Sequence, residues 1–282
     1  RIGYYTFLTY CGLVFFFLIS PIFIVLPLSF SSSPFFEFTR EFMTLDPAGW
    51  SLKWYKQMVN ICGVEVTTVC TDKWMRGTVN SFYIGIVSTF IATALGTVAA
   101  LGLSRPHMPF RALIMAILIS PMIVPLIITA AGMFFFYSKL GLTHTYTGLI
   151  LAHTALGTPF VVITVTATLT GFDNNLIRAS QSLGGDTMKT FFKVIMPLIL
   201  PGVISGALFA FITSFDEVVV VLFVGSVEQV TIPRQMWAGL RQEISPVILC
   251  MATCLVALSI GLLTTVELLR RRSERLRGIK NR

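Results

Sequence analysis

Six long apolar runs govern what this 282-residue chain can fold into. They lie at approximately 10–30, 80–103, 112–137, 146–169, 201–224 and 247–269. Each is long enough to cross a hydrocarbon layer of about 30 Å, which takes about 20 helical residues. Backbone polar groups have no water to bond with in lipid, so each run must satisfy them internally, as a helix does. The composition agrees: 55% of residues are apolar and 12% are charged, against about a quarter charged in soluble domains. A bilayer is therefore the expected solvent. No stretch between the runs exceeds 49 residues, which leaves no room for a large soluble domain. The predicted class is an all-α membrane protein with six transmembrane helices.

The first run is too long for a signal-peptide core and lacks a small-residue cleavage site after it, so it reads as an uncleaved helix. The chain begins at Arg1 rather than Met, so further N-terminal residues are expected. Charge predicts the orientation. With both termini inside, the inner segments hold thirteen basic and four acidic residues, a net of +9, and the outer segments hold eight and seven, a net of +1. The positive excess is thus a topology signal, and the basic tail suits anionic lipid rather than nucleic acid. Three regions follow: a first helix with a long outer loop (1–79), a five-helix core (80–270) carrying a polar hairpin at 174–200, and a basic inner tail (271–282). In the long loop, Trp50, Trp54 and Trp74 suit the membrane interface, and 52–59 is predicted to form a short interfacial helix. Cys62 and Cys70 share this loop, on the oxidising side. A disulfide between them is one reading, though spacing alone does not supply the geometry. Cys11, Cys250 and Cys254 lie in apolar runs without a partner His or third thiol and read as small buried hydrophobes.

The polar hairpin is the segment best suited to meet a partner in water. Asn174 or Asn175 can cap a helix. Leu176, Ala179, Ser180 and Leu183 share one face at helical spacing. Gly184 and Gly185 break that helix, and Asp186 can cap a second one. Met188, Phe191, Phe192 and Ile195 then form an apolar stripe, with Lys189 and Lys193 on other faces. Pro197 and Pro201 are expected to close the element, Pro201 near the start of the next span. Physics alone leaves two readings open: an amphipathic loop lying on lipid, or a corner inserted into a cleft of an inner partner.

The hairpin resembles the signature of binding-protein-dependent ABC importer permeases: Glu-Ala-Ala, three residues, Gly, nine residues, Ile, any residue, Leu, Pro. Ala179, Gly184 and Pro197 match at the required spacing. Ser180 fills the second Ala slot, Val194 the Ile slot and Met196 the Leu slot, while Arg178 reverses the charge of the Glu slot. The six-span layout and the Ser-Phe-Asp-Glu-Val-Val-Val at 214–220 extend the resemblance over most of 80–270, nearest to the spermidine/putrescine group. The resemblance implies the type I ABC importer permease fold in a bacterial inner membrane, a second permease subunit of different sequence, two copies of an ATP-binding subunit, and a solute-binding protein outside. It implies that Arg178, Ala179, Ser180, Leu183, Gly184, Gly185, Asp186 and Pro197 form the element that couples to the ATPase. The chain has no Gly-x-x-x-x-Gly-Lys-Ser/Thr loop, so ATP and Mg are expected on the partner and no cofactor on this chain.

Asp216 and Glu217 interrupt the fifth run. Carboxylates at membrane depth are costly and usually face a cavity or a partner. Adjacent residues point about 100° apart on a helix, so the two need not share a role. One or both can cap a kink, or at least one can line a path for a cation, with Phe215 assisting by cation–π contact. His107, His144 and His153 are isolated and read as structural. Pro121 and Pro125 are expected to kink the third span. Gly141 and Gly157 read as turn or close-packing residues. No catalytic triad or metal-ligand set is present, so this chain is not expected to be an enzyme by itself. The leading function is the membrane subunit of an ATP-driven importer for a small organic cation, in particular a polyamine. Amino-acid-like, thiamine-like and phosphonate substrates remain alternatives. An ion-coupled secondary transporter would explain the carboxylates but not the hairpin.

Overall fold

The computed structural model describes residues 2–59, 72–105, 107–173, 175–242 and 245–276. Cys62, Cys70 and Asn174 lie outside the described residues, as does the end of the basic tail. The described chain is helical, and its one β pairing is the single bridge between Ser31 and Trp50. Among the described residues five helices are long and apolar enough to cross a membrane, or six if the bent pair Arg111–Ile123 and Leu126–Leu140 counts as one span.

Two compact units divide the chain: Arg1–Met75 with Met236–Arg282, and Arg76–Gln235. In the first unit, α1 (Ile2–Leu28) and α13 (Val247–Leu276) pack on each other. Apolar side chains are exposed along most of α1, including Phe15, Phe16, Phe17 and Phe23. That surface is stable only against lipid or protein. Between them the loop folds tightly around α2 (Arg40–Met43), a 3₁₀ turn at Pro47–Gly49 and α3 (Lys53–Met58). Thr39 and Asp46 cap the first two, accepting from the N–H groups of Phe42 and Ala48. Phe42 stacks on Trp50 at 4.4 Å between ring centroids, and Trp54 Nε1 donates to Ser31 O at 3.0 Å. The expected short helix at 52–59 is therefore present as α3. Cys250 is buried against this loop, its Sγ 3.3 Å from Ser29 O, and Cys11, Cys250 and Cys254 are free thiols.

The second unit is built on α4 (Lys73–Leu103), α5 (Arg111–Ile123), α6 (Leu126–Leu140), α7 (Tyr146–Thr170), α8 (Asn175–Ser182), α9 (Thr187–Thr190), α10 (Met196–Phe215), α11 (Val219–Val224) and the start of α12 (Ile232–Gln242). Its centre is α7, the most buried of the candidate spans. Thr158, Thr164, Thr168 and Thr170 bond back to carbonyls four residues earlier in α7, which lets a threonine-rich helix sit in an apolar bundle. One buried cluster joins Ile84, Leu149, Leu156, Val220 and Val224, and a second joins Ala92, Val161, Ile199 and Ala210.

The structure corrects the expected spans at two places. The third is not a kinked helix but two helices meeting at 103°. The break falls at Val124 and Pro125, while Pro121 stays inside α5. A proline disfavours helical ψ in the residue before it, and Val124 is extended, with φ −71° and ψ 134°. The fifth is likewise two helices, α10 ending at Phe215 and α11 starting at Val219. Gly141 ends α6 in the left-handed region at φ 67°, and Gly157 is a close-packing residue against Ala92 and Ala210.

Candidate functional site

Helix α8 begins at Asn175, and Asp173 lies just ahead of it. Asp173 Oδ1 accepts from the Asn175 N–H at 2.9 Å, which orients the first turn. At the other end, Gly184 N–H bonds to Gln181 O at 3.0 Å and Gly185 N–H to Ser180 O at 2.9 Å. These are the paired bonds of a Schellman cap, and they require the left-handed φ of 79° that Gly184 adopts. The two glycines serve different needs. A Cβ on Gly184 would meet nothing within 4 Å, whereas one on Gly185 would lie 2.6 Å from Ser180 Oγ and 2.8 Å from Ser180 O. Gly184 therefore sets the backbone direction and Gly185 lets α9 approach α8. Ser180 Oγ and Thr190 Oγ1, 2.9 Å apart, tie the two limbs together, and Asp186 caps α9 through the Lys189 N–H at 2.7 Å.

The second limb does not close at Pro197. Thr187–Phe215 is one continuous helical rod. A proline ring in a regular α-helix collides with the carbonyl four residues earlier. Here the turn at Phe191–Ile195 is π-helical, and the Met196 N–H reaches back to Phe191 O. The wider turn takes up that conflict, so Pro197 and Pro201 both lie within the rod. Whatever moves the corner therefore pulls on α10 directly. The corner presents Leu183, 89% exposed, together with exposed Leu176, Met188 and Phe192. Arg178 and Lys193 are exposed, and Lys189 pairs with Asp186 at 3.5 Å.

At the far end of α10 the two adjacent carboxylates separate. Glu217 is buried, and its Oε1 accepts from the Val220 N–H at 2.8 Å, capping α11. Asp216 is exposed beside the C-terminus of α10. Phe215 forms a triangle with Phe82 and Phe211, with centroids 5.2 Å, 5.3 Å and 6.5 Å apart. The break thus places one carboxylate in the protein interior and one at the surface, next in sequence to Phe215.

Sequence reasoning read His153 as structural but passed over the other polar residues that hold this end in place. His153 Nδ1 lies 2.7 Å from Ser214 Oγ, which lies 3.0 Å from Ser88 Oγ, joining α7, α10 and α4 in a fully buried chain. Asn80 Nδ2 donates to Glu228 O at 2.7 Å and Val230 O at 2.9 Å, and Ser81 Oγ accepts from the Ile232 N–H at 2.8 Å. The only sequence signal was a single polar residue inside an apolar run. Replacing His153 with Phe should lower thermal stability, because Ser214 would lose a buried partner at a cost of about 1–3 kcal/mol. His153→Gln should recover part of the loss, and a thermal unfolding series in detergent checks both.

Among the described residues no cluster of His, Cys, Asp or Glu could hold a metal ion. The apolar candidate spans fit an integral-membrane protein. Residues 92–275 match the family of binding-protein-dependent transport system inner membrane components, and the chain belongs to that family. It is 27% identical over 237 residues to the spermidine/putrescine transport system permease protein PotC of Haemophilus influenzae, covering 84% of this chain and 88% of the relative. It is 27% identical over 248 residues to the putrescine transport system permease protein PotI of Escherichia coli K12, covering 83% of each. A crystal structure of a bacterial ABC transporter involved in the import of the acidic polysaccharide alginate shares the fold, with a TM-score of 0.70, 15% identity and 96% of each chain covered.

Proposed function

We propose that this chain forms half of the translocation path of an ATP-driven importer for a small organic cation of the polyamine class. One observation carries the substrate class: Asp216 is exposed at the C-terminal end of α10, next in sequence to Phe215, whose ring packs on Phe82 and Phe211. That end of a helix carries partial negative charge, so a carboxylate there creates a site that a cation relieves. Aromatic faces add attraction to an alkylammonium group. The names of the relatives, spermidine/putrescine and putrescine permeases, support the same substrate class.

In this reading the Leu183–Gly184–Gly185 corner lies on the inner side and docks on one of two copies of an ATP-binding chain, which holds the nucleotide and Mg. A second permease subunit completes the path, and a solute-binding protein delivers substrate from outside. Both termini are then inner, as the positive excess favours. The five-helix region 80–270 is the transport core, and Arg178, Ala179, Ser180 and Asp186 belong to the docking element with Pro197 at its root. The test is uptake of labelled spermidine and putrescine into proteoliposomes holding the full complex, with ATP on the ATPase side and the binding protein on the other. ATP-dependent uptake of either amine is expected. A complex that retains its ATPase but accumulates neither amine would remove the polyamine reading. A permease that co-purifies with no ATPase would remove the importer reading. With the five native cysteines replaced by serine, a Leu183→Cys variant should react with an impermeant maleimide only when the inner face is accessible, and labelling from outside would overturn the orientation.

A further inference from the structure

The hairpin is a cationic docking surface as well as an apolar one. From Asn175 to Ile195 it carries Arg178, Lys189 and Lys193 against the single carboxylate Asp186, a net of +2. An open depression lies along it, with Leu176, Ala179, Leu183 and Val194 as apolar wall and Lys189 and Lys193 as cationic wall. Asp186 occupies Lys189 at 3.5 Å. Arg178 and Lys193 are exposed, and neither side chain has an ion-pair partner among the described residues. Arg178 precedes Ala179 of the apolar wall in α8 and is exposed on the same hairpin, outside the lining of the depression. Each of these groups loses water when the corner is inserted into a cleft, and a cation desolvated without a counter-charge is costly.

We infer that the occupant of this depression is a segment of the partner ATPase presenting an aliphatic or aromatic side chain flanked by carboxylates, at least one of them opposite Arg178. The inference rests on the reading that the corner docks on an ATPase, and it adds the sign of the charge the ATPase must bring. An apolar contact alone would hold the corner against any cleft of the right shape. The carboxylates select this ATPase over one whose cleft rim is basic, because like charges brought together across an interface cost several kcal/mol. Arg178 is thus a specificity residue for assembly, and its planar fork suits a carboxylate better than an ammonium does.

The experiment is co-purification of the ATPase with the tagged permease complex in detergent, across a series of NaCl concentrations. Arg178→Glu should reduce ATPase retention by about tenfold or more, and Arg178→Ala should reduce it less while flattening the salt dependence. Arg178→Lys should stay within a few-fold of the native protein. Reversing one acidic residue of the ATPase rim to Lys should restore retention with the Arg178→Glu chain. Leu183→Glu is the control for the underlying reading, since it places a charge on the apolar knob. Loss of ATPase with Leu183→Glu but not with Arg178→Glu would leave docking intact and overturn the acidic rim. Full retention in both would remove docking itself. Retention that improves with Arg178→Glu would show a basic rim and refute the inference outright.

Discussion

Substituting leucine for Gly206 should abolish recovery of folded, monodisperse protein, whereas Gly12→Ala should leave yield and thermal stability unchanged. Helix α10 lies against α7 at closest approach along Gly202 and Gly206. A Cβ at 206 would collide with Thr164 Oγ1 and lie 2.8 Å from Val161 Cα. The second contact decides the outcome, because a backbone atom in the middle of a buried helix has nowhere to go. Thr164 cannot swing aside freely either, since its hydroxyl is bonded to Phe160 O at 2.9 Å. Overpacking a core costs about 1–3 kcal/mol for added methylenes that side chains can absorb. Here the first added atom already meets backbone, and leucine adds three more. The helices must part, which strips the Ser88–Ser214–His153 chain of its geometry as well. Gly12 has nothing within 4 Å of its Cβ position, so alanine there meets only the surroundings of α1. Size-exclusion profiles and unfolding midpoints of the two variants check the contrast. A monodisperse Gly206→Leu protein with native stability would mean that α7 and α10 do not pack as described.

The same contacts show which parts of the structure could be read from the sequence. The apolar runs were legible because a bilayer imposes a length, and α1, α4, α7 and α13 answer to four of them as continuous helices. The hairpin was legible because Gly-Gly followed by a capping Asp signals a corner in any solvent. What could not be read was where a helix changes direction. Pro125 breaks the third span by 103°, whereas Pro121, Pro159 and Pro201 sit inside helices. A proline obliges its helix to lose one hydrogen bond, and the neighbours decide whether it bends, breaks or widens into a π turn as at Phe191–Ile195. The partition of Asp216 and Glu217 was open for a related reason. Adjacent residues diverge by about 100° only while the helix continues. Once α10 ends at Phe215, the Val220 N–H selects which carboxylate turns inward. His153 looked isolated in sequence because its partner Ser214 is 61 residues away, and Ser88, which bonds to Ser214, is 126 residues from Ser214.

Asp216→Asn should lower the initial rate of amine uptake by about tenfold to a hundredfold, equivalent to about 1.4–2.8 kcal/mol, while the assembled complex keeps its yield and its ATPase. The substitution preserves shape and removes only charge. Asp216 is exposed, and its backbone N–H stays bonded to Ile212 O at 3.0 Å whatever the side chain, so folding has little at stake. Its charge sits at a helix C-terminus, where a like-signed group is unfavourable by about 0.3–1 kcal/mol. The native protein tolerates that cost, and the Asn variant should therefore be no less stable than the parent. Glu217→Ala should do the reverse. It removes the buried cap on the Val220 N–H and should lower stability by about 0.5–2 kcal/mol, with a smaller yield of complex but no selective loss of transport in what assembles. The two variants separate a residue that meets the cation from a residue that holds the break in place. Uptake per assembled complex is the deciding quantity. If it falls for Glu217→Ala and not for Asp216→Asn, the exposed carboxylate has no part in the path.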